Sequence, residues 1–146
     1  MNEKVNTRKT GADERSFQKW VKDEVEELGL FVFNMHPGLG MVSGPPDIWI
    51  HGPYRNQFVP LELKLWEPKG ELYSCSPIRP DQIRWARKFN SYGGKVGLLM
   101  GMRQPDGWAL ALPHYDIWSK GVTDFTPDQV LLPADIKSAI ELTLMQ

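Results

Sequence analysis

One cysteine, Cys75, in 146 residues leaves no partner for an internal disulfide, so a reducing compartment is the natural expectation. Other absences narrow the field further. No apolar run approaches the roughly 20 residues that span a bilayer, and the first residues are polar and charged, unlike a secretory leader. No segment repeats at a solenoid period. There is no P-loop, no GxSxG and no dinucleotide fingerprint. His36, His51, His114 and Cys75 lack any compact ligand spacing, which argues against zinc. Nor does one sign of charge prevail: 17 Lys and Arg face 18 Asp and Glu, for a formal net charge of −1. That excludes a chain that coats nucleic acid by bulk charge, while a local basic face on a neutral whole stays open.

What is present suits one globular domain. The chain is 41% hydrophobic, and its length can bury a core without staples. Residues 1–12 are polar and aperiodic and are expected to be flexible. From Asp13 to Leu28, Phe17, Trp20, Val21, Val25 and Leu28 recur at helical spacing, and Gly29 follows as a C-cap. "LFVFNMH" (30–36) reads as a strand, "PGLGMVSGPP" (37–46) as a loop, and Asp47–His51 as a short strand. "GPYRNQ" (52–57) is a turn before a second strand, Phe58–Leu65, and residues 66–80 read as a long loop. Asp81–Ser91 forms a helix with Ile83, Ala86 and Phe89 inward, then "KVGLLMGM" (95–102) a buried strand. A core over 13–102 is thus expected, in the order αβββαβ. A strand over 108–118 and a helix over 133–145 opening on Pro133 are appended within 103–146. The fold class is α/β, a mixed central sheet flanked by helices.

Inside this apolar frame stand three charges. Alternation along a strand puts Glu62, Lys64 and Trp66 on one face, and Leu61, Leu63 and Leu65 on the other. Asp47 opens the preceding strand, and a short turn would bring it beside Glu62. Two carboxylates that close repel, and one then takes a proton. A divalent cation would resolve the conflict, since Mg²⁺ needs only one or two carboxylates besides water and phosphate. Lys64 cannot be a ligand, but it can orient a water or offset charge on a phosphoryl oxygen. The same spacing also suits a hairpin with a partly solvated Glu–Lys face and Asp47 as a strand-entry cap. Spacing alone does not choose.

Pro46-Asp47 followed by Glu62-Leu63-Lys64 resembles the PD-(D/E)xK signature of the restriction-endonuclease-like nuclease superfamily. "GADERSFQKWVKDEVEELG" looks like the first helix of its VRR-Nuc branch, with Glu14 and Gln18 in an E-x-x-x-Q arrangement. "SPIRPDQIRWARKFNSYGGKVGLLMG" resembles the Ser-x-Gln helix and following strand of that branch, although "PIRPD" separates Ser76 from Gln82 by more than is usual. The outline, including "KTGADER", is also similar to archaeal Holliday-junction resolvases. The matched stretches cover residues 14 to 102.

The resemblance implies a metal-dependent nuclease with a restriction-endonuclease-like core. Asp47 and Glu62 would hold Mg²⁺, for which Mn²⁺ would substitute, together with the Leu63 backbone carbonyl. Lys64 would be the catalytic lysine, Glu14 would reach the metal through water, and Gln82 would support the site. On a helical wheel Glu14 lies roughly 45° from the centre of the apolar stripe. Glu24 competes with it, and an acid in a first helical turn also suits the dipole.

For DNA, Arg79, Arg84, Arg87 and Lys88 cluster about the second helix, and Lys4, Arg8, Lys9 and Arg15 near the N-terminus. Arg15, Gln18, Arg79, Arg84 and Lys88 are the expected nucleic-acid contacts, while Trp66, Tyr73 and Trp85 are candidates for stacking on unpaired bases. Solvated helix faces are rich in such cations for no functional reason. Nothing in the chain reads base sequence, so the expectation is structure-selective cleavage of branched DNA in replication, recombination or repair. The alternatives are an exonuclease or restriction-type relative, or a non-catalytic nucleic-acid-binding module. The resemblance allows a homodimer, no membrane is involved, and the expected location is a bacterial cytoplasm, or the host's if the gene is a phage's.

Overall fold

The computed structural model describes the backbone of residues 3–35, 44–51 and 58–146, and side chains from residue 13 onward within those stretches. His36, most of the expected loop 37–46, the turn 52–57 and the side chains of Lys4, Arg8 and Lys9 lie outside the described residues. In chain order the elements are α1 (Glu3–Glu27), β1 (Phe31–Asn34), β2 (Ile48–His51), β3 (Phe58–Lys69), β4 (Leu72–Cys75), α2 (Pro80–Ser91), β5 (Gly97–Gln104), β6 (Gly107–Pro113), α3 (Tyr115–Trp118), β7 (Asp124–Phe125), β8 (Val130–Leu131) and α4 (Ile136–Leu144). The expected αβββαβ order is present, with β4 inserted before α2.

The strands form one mixed sheet in the order β1-β2-β3-β5-β6-β8, with β4 and β7 off the far end of β3. β1, β2 and β3 pair antiparallel, in a register that sets Ile48 opposite Leu61. β3 and β5 pair parallel, Glu62 beside Leu98. Parallel neighbours require a crossover, and α2 is its helix.

Both faces of β3 are covered, so residues 59–63 are all buried. On the Leu61 and Leu63 face, α1 supplies Phe17, Val21 and Val25, each 0–1% exposed, and α4 adds Ile136, Ala139 and Ile140. Each such side chain contributes about 1.5–3 kcal/mol by leaving water. Phe17 comes this close because Gly101 has no side chain: a Cβ there would stand 2.3 Å from the phenyl ring. The opposite face carries Leu98, Met100 and Ala111 under Ala86 of α2 and Trp118 of α3.

Several boundaries differ from those expected. Helical backbone runs upstream of Asp13 to Glu3, although no apolar period marks it. At the other end Gly29 (φ 79°) closes α1: its N–H donates to Glu26 O at 2.9 Å, and the Leu30 N–H to Val25 O. Residues 66–80 are not simply loop, because β3 continues to Lys69 and turns at Gly70 (φ 62°) into β4. The strand expected over 108–118 stops at Pro113, and Tyr115–Trp118 is helical. α4 begins at Ile136 rather than Pro133, because Asp135 caps it by accepting from the Ser138 N–H at 2.8 Å. Among the described residues no helix is long and apolar enough to cross a membrane.

Candidate active site

The pairing of β2 with β3 ends at Ile48 and Leu61, and Asp47 stands where the next pair would form. The chain before it is Gly44-Pro45-Pro46, and proline has no N–H to extend a ladder. Asp47 instead sends its side chain across: Oδ2 accepts from the Leu63 N–H at 2.9 Å. The carboxylate thereby replaces a missing strand partner and is held against the middle of β3.

Glu62, the neighbour of Leu63, faces α2 and is only 4% exposed. Gln82 fixes one of its oxygens. The Gln82 amide Oε1 accepts from the Arg79 N–H at 3.1 Å, reaching back over the first turn of α2, while Nε2 donates to Glu62 Oε2 at 2.9 Å. With both ends engaged, the orientation of the amide follows from its partners. Glu62 Oε1 is buried and has no hydrogen-bond partner among the described residues. Burial first, and the charge of Asp47 second, push the Glu62 carboxyl up to about 9, against the opposing pull of Lys64 and Arg79.

Lys64 lies two residues along the same face. Its Nζ is 4.0 Å from Glu62 Oε2 and 3.4 Å from the Pro77 carbonyl. These two contacts hold the Lys64 amine at the edge of the acidic pair, where it opposes the rise of the Glu62 carboxyl.

The expected site residues therefore fall into two sets. Asp47, Glu62, Lys64 and Gln82 come together, with the Leu63 backbone between them. Arg79 caps the start of α2, exposed, with Nε 3.2 Å from Asp81 Oδ1. Arg84 and Lys88 lie further along the exposed side of that helix. Arg15 and Gln18 sit on α1, which packs on the other face of the sheet, and join no acidic group of the pair. Glu14 lines a separate cavity of about 490 Å³ with Leu65, Trp66, Gly101 and Trp108, where β3 runs past α1.

Trp66 and Tyr73, expected at unpaired bases, are half-buried, and Trp66 also lines the cavity beside Glu14. Their rings lie 4.7 Å apart, and Trp66 Nε1 donates to the Ala109 carbonyl at 3.3 Å. Trp85, the third of those candidates, belongs to an aromatic face built on Trp49, which sequence reasoning missed; the Trp49 ring meets Trp85 at 5.4 Å and Phe89 at 5.8 Å. Its signal was alternation in β2: Ile48 and Ile50 face α1, so Trp49 must face α2 with Asp47.

Among the described residues no three His, Cys, Asp or Glu side chains gather as a metal cage. A hard cation that keeps waters and takes phosphate oxygens does not need three. A buried Glu62 beside a second carboxylate is an arrangement such a cation fits, since it would offset the repulsion that opposes ionisation of Glu62.

No family model and no curated protein matches the sequence. Among solved structures, the chain is similar to Hjc of Archaeoglobus fulgidus, a Holliday junction resolvase from an archaeal hyperthermophile. Identity is 14%, the TM-score is 0.54, and the match covers 86% of this chain and 98% of the other. The chain thus has a restriction-endonuclease-like fold, a mixed sheet flanked by helices, of the kind seen in that resolvase.

Proposed function

We propose that the protein is a metal-dependent endonuclease that hydrolyses phosphodiester bonds in branched DNA, a resolvase-like enzyme of recombination or repair. The observation that carries this reading is the buried Glu62. A carboxyl held near 9 by burial and by Asp47 destabilises a protein that has no use for it. Lys64 and Gln82 are set on it from two further directions. The likeness to a resolvase fold supports the reading, and so does the match of Asp47, Glu62 and Lys64 to the PD-(D/E)xK signature. The VRR-Nuc branch remains the subdivision that the Glu14–Gln18 and Gln82 helices suggest.

In this reading Asp47, Glu62 and the Leu63 carbonyl would hold Mg²⁺ or Mn²⁺. A strand residue points its N–H and C=O to the same side. Since the Leu63 N–H reaches Asp47, its carbonyl also faces the gap that β2 leaves. When bound, the cation supplies Lewis-acid polarisation of the phosphate and acidifies a water. Glu62 would serve as a ligand in its ionised form, with Gln82 keeping Oε2 in place. Lys64 orients the attacking water and offsets the charge that builds on the phosphoryl oxygens. Glu14 would act at longer range, through water. Arg79, Arg84 and Lys88 would hold backbone phosphates on the α2 side, and Arg15 and Gln18 on the α1 side. Such an enzyme works where DNA is handled, in a bacterial cytoplasm or that of a phage's host, and a homodimer would suit a two-fold junction.

The test is cleavage of labelled four-way, flap, nicked, single-stranded and linear duplex DNA, with Mg²⁺ or Mn²⁺ and with chelator. Preferential, metal-dependent cutting at the branch supports the proposal. Cutting of linear substrates alone would retain the nuclease and discard branch selectivity. Binding without cutting under either metal would leave a nucleic-acid-binding module.

A further inference from the structure

Beside the acidic pair, on the same face of the sheet, lies a cavity of about 850 Å³, within the roughly 300–1,000 Å³ of sites that take small molecules. Trp49, Trp85, Phe89, Phe58 and Tyr92 line it, the last two exposed. We propose that it receives one unstacked nucleobase of the DNA strand whose phosphate lies at Asp47 and Glu62. This rests on the nuclease reading above and names the substrate feature it selects: a nucleotide not held in a duplex.

Three observations carry the inference. The first is position. Trp49 follows Asp47 by two residues on the same strand face, roughly 7 Å along β2. At a duplex strand's rise of about 3.4 Å per nucleotide that is about two nucleotides, and fewer in an extended, unstacked strand. The inner face of α2 runs the same way: Gln82 touches Glu62, and Trp85 and Phe89, three and seven residues on, touch Trp49.

Charge is the second. The walls carry Arg84 and Lys88, one helical turn apart on α2, which suit the phosphates flanking a base that stacks on aromatic rings. Asp81 also lines the cavity, but its Oδ1 is engaged by the Arg79 Nε at 3.2 Å and the Gln82 N–H at 3.0 Å.

The third is the surplus of aromatic surface. Tyr92 is 83% exposed and Phe58 43%, more than packing explains. A base offers a flat ring on which both can stack.

Tyr92→Ala and Phe58→Ala remove exposed rings and should leave the fold intact, which circular dichroism and thermal melting would check. Binding of labelled oligothymidylate and of a blunt duplex would be measured by fluorescence anisotropy in chelator, so that no cleavage intrudes. The expected result is a loss of roughly 5- to 150-fold on the single strand, the equivalent of one stacked base, with duplex affinity unchanged. Equal losses on both substrates would overturn the proposal, as would no loss on either. It would likewise fall if Tyr92→Ala converted a dimer to a monomer without weakening single-strand binding, since the face would then be an interface between copies. Wild-type cleavage with Mg²⁺, run in parallel, separates the two readings. Cleavage with unaffected variant binding removes the base site alone, while selective binding loss without any cleavage removes the nuclease alone.

Discussion

Gln82 Nε2 donates to Glu62 Oε2 at 2.9 Å, and that bond ties the crossover helix α2 to the central strand at its one buried acid. Because Gln82 Oε1 is held by the Arg79 N–H, the amide cannot turn to offer Glu62 an oxygen instead. Groups that orient a metal ligand typically change affinity or activity by about 10–100-fold when removed. Gln82→Leu is therefore expected to lower the cleavage rate by about that factor and to raise the Mg²⁺ concentration needed for half-maximal rate. A Mg²⁺ titration that shifts neither would contradict the role.

Glu62 makes stability depend on pH with a definite sign. Its carboxyl moves from 4.5 to about 9 on folding, so between those values the folded state holds a proton that the unfolded state has lost. Stability is then undiminished below 4.5 and falls as pH rises toward 9, by on the order of 3 kcal/mol already at pH 7. Glu62→Gln keeps the shape and cannot ionise. It should melt higher than the wild type, by a margin that widens from pH 5 to pH 9, and Mg²⁺ should raise the melting temperature of the wild type only. Parallel pH profiles for the two proteins would rule out the raised carboxyl.

Asp47 has a structural duty besides any metal, because its Oδ2 satisfies the Leu63 N–H. Asparagine at this position retains an oxygen acceptor and alanine does not. Both Asp47→Asn and Asp47→Ala should be inactive, but the alanine variant should be less stable in urea by about 1–3 kcal/mol, the cost of a buried donor left unpaired. Equal stability of the two would show that the hydrogen bond contributes nothing.

Gly101 sets how closely α1 lies on the sheet. A methyl there would come within 2.3 Å of the Phe17 ring. Neither side gives readily, since Phe17 is 1% exposed. Gly101→Ala is expected to destabilise by about 1–3 kcal/mol through overpacking, read as a lower urea midpoint at unchanged slope.

How much of this was legible beforehand depends on the range of the determining forces. Alternation in β3 is local, and it placed Glu62 and Lys64 on one face and the leucines on the other, as observed. The short turn implied an antiparallel pair, which is present, and Asp47, one residue beyond its last register pair, reaches β3 through the Leu63 N–H. The β3–β4 hairpin was hidden because Glu67, Pro68, Lys69 and Glu71 have little strand propensity, and only Gly70 marked its turn. Pro133 looked like a helix start, while the cap that decides, Asp135 with Ser138, had gone unread. The Gln82–Glu62 bond depends on how the crossover lays α2 over β3, and nothing local encodes that. The partial burial of Trp66 and Tyr73 is likewise created at a distance, by β4 and β6.

Lys64 touches Glu62 of the acidic pair without being able to bind metal. The decisive measurement is the single-turnover cleavage rate of a branched DNA substrate in saturating Mg²⁺, wild type against Lys64→Ala. A fall of about 10²–10³-fold with DNA binding retained is the predicted result, the loss typical of one electrostatic stabiliser of a transition state. An unchanged rate, or none in the wild type under any divalent metal, would contradict it and leave Asp47, Glu62 and Lys64 as a structural cluster.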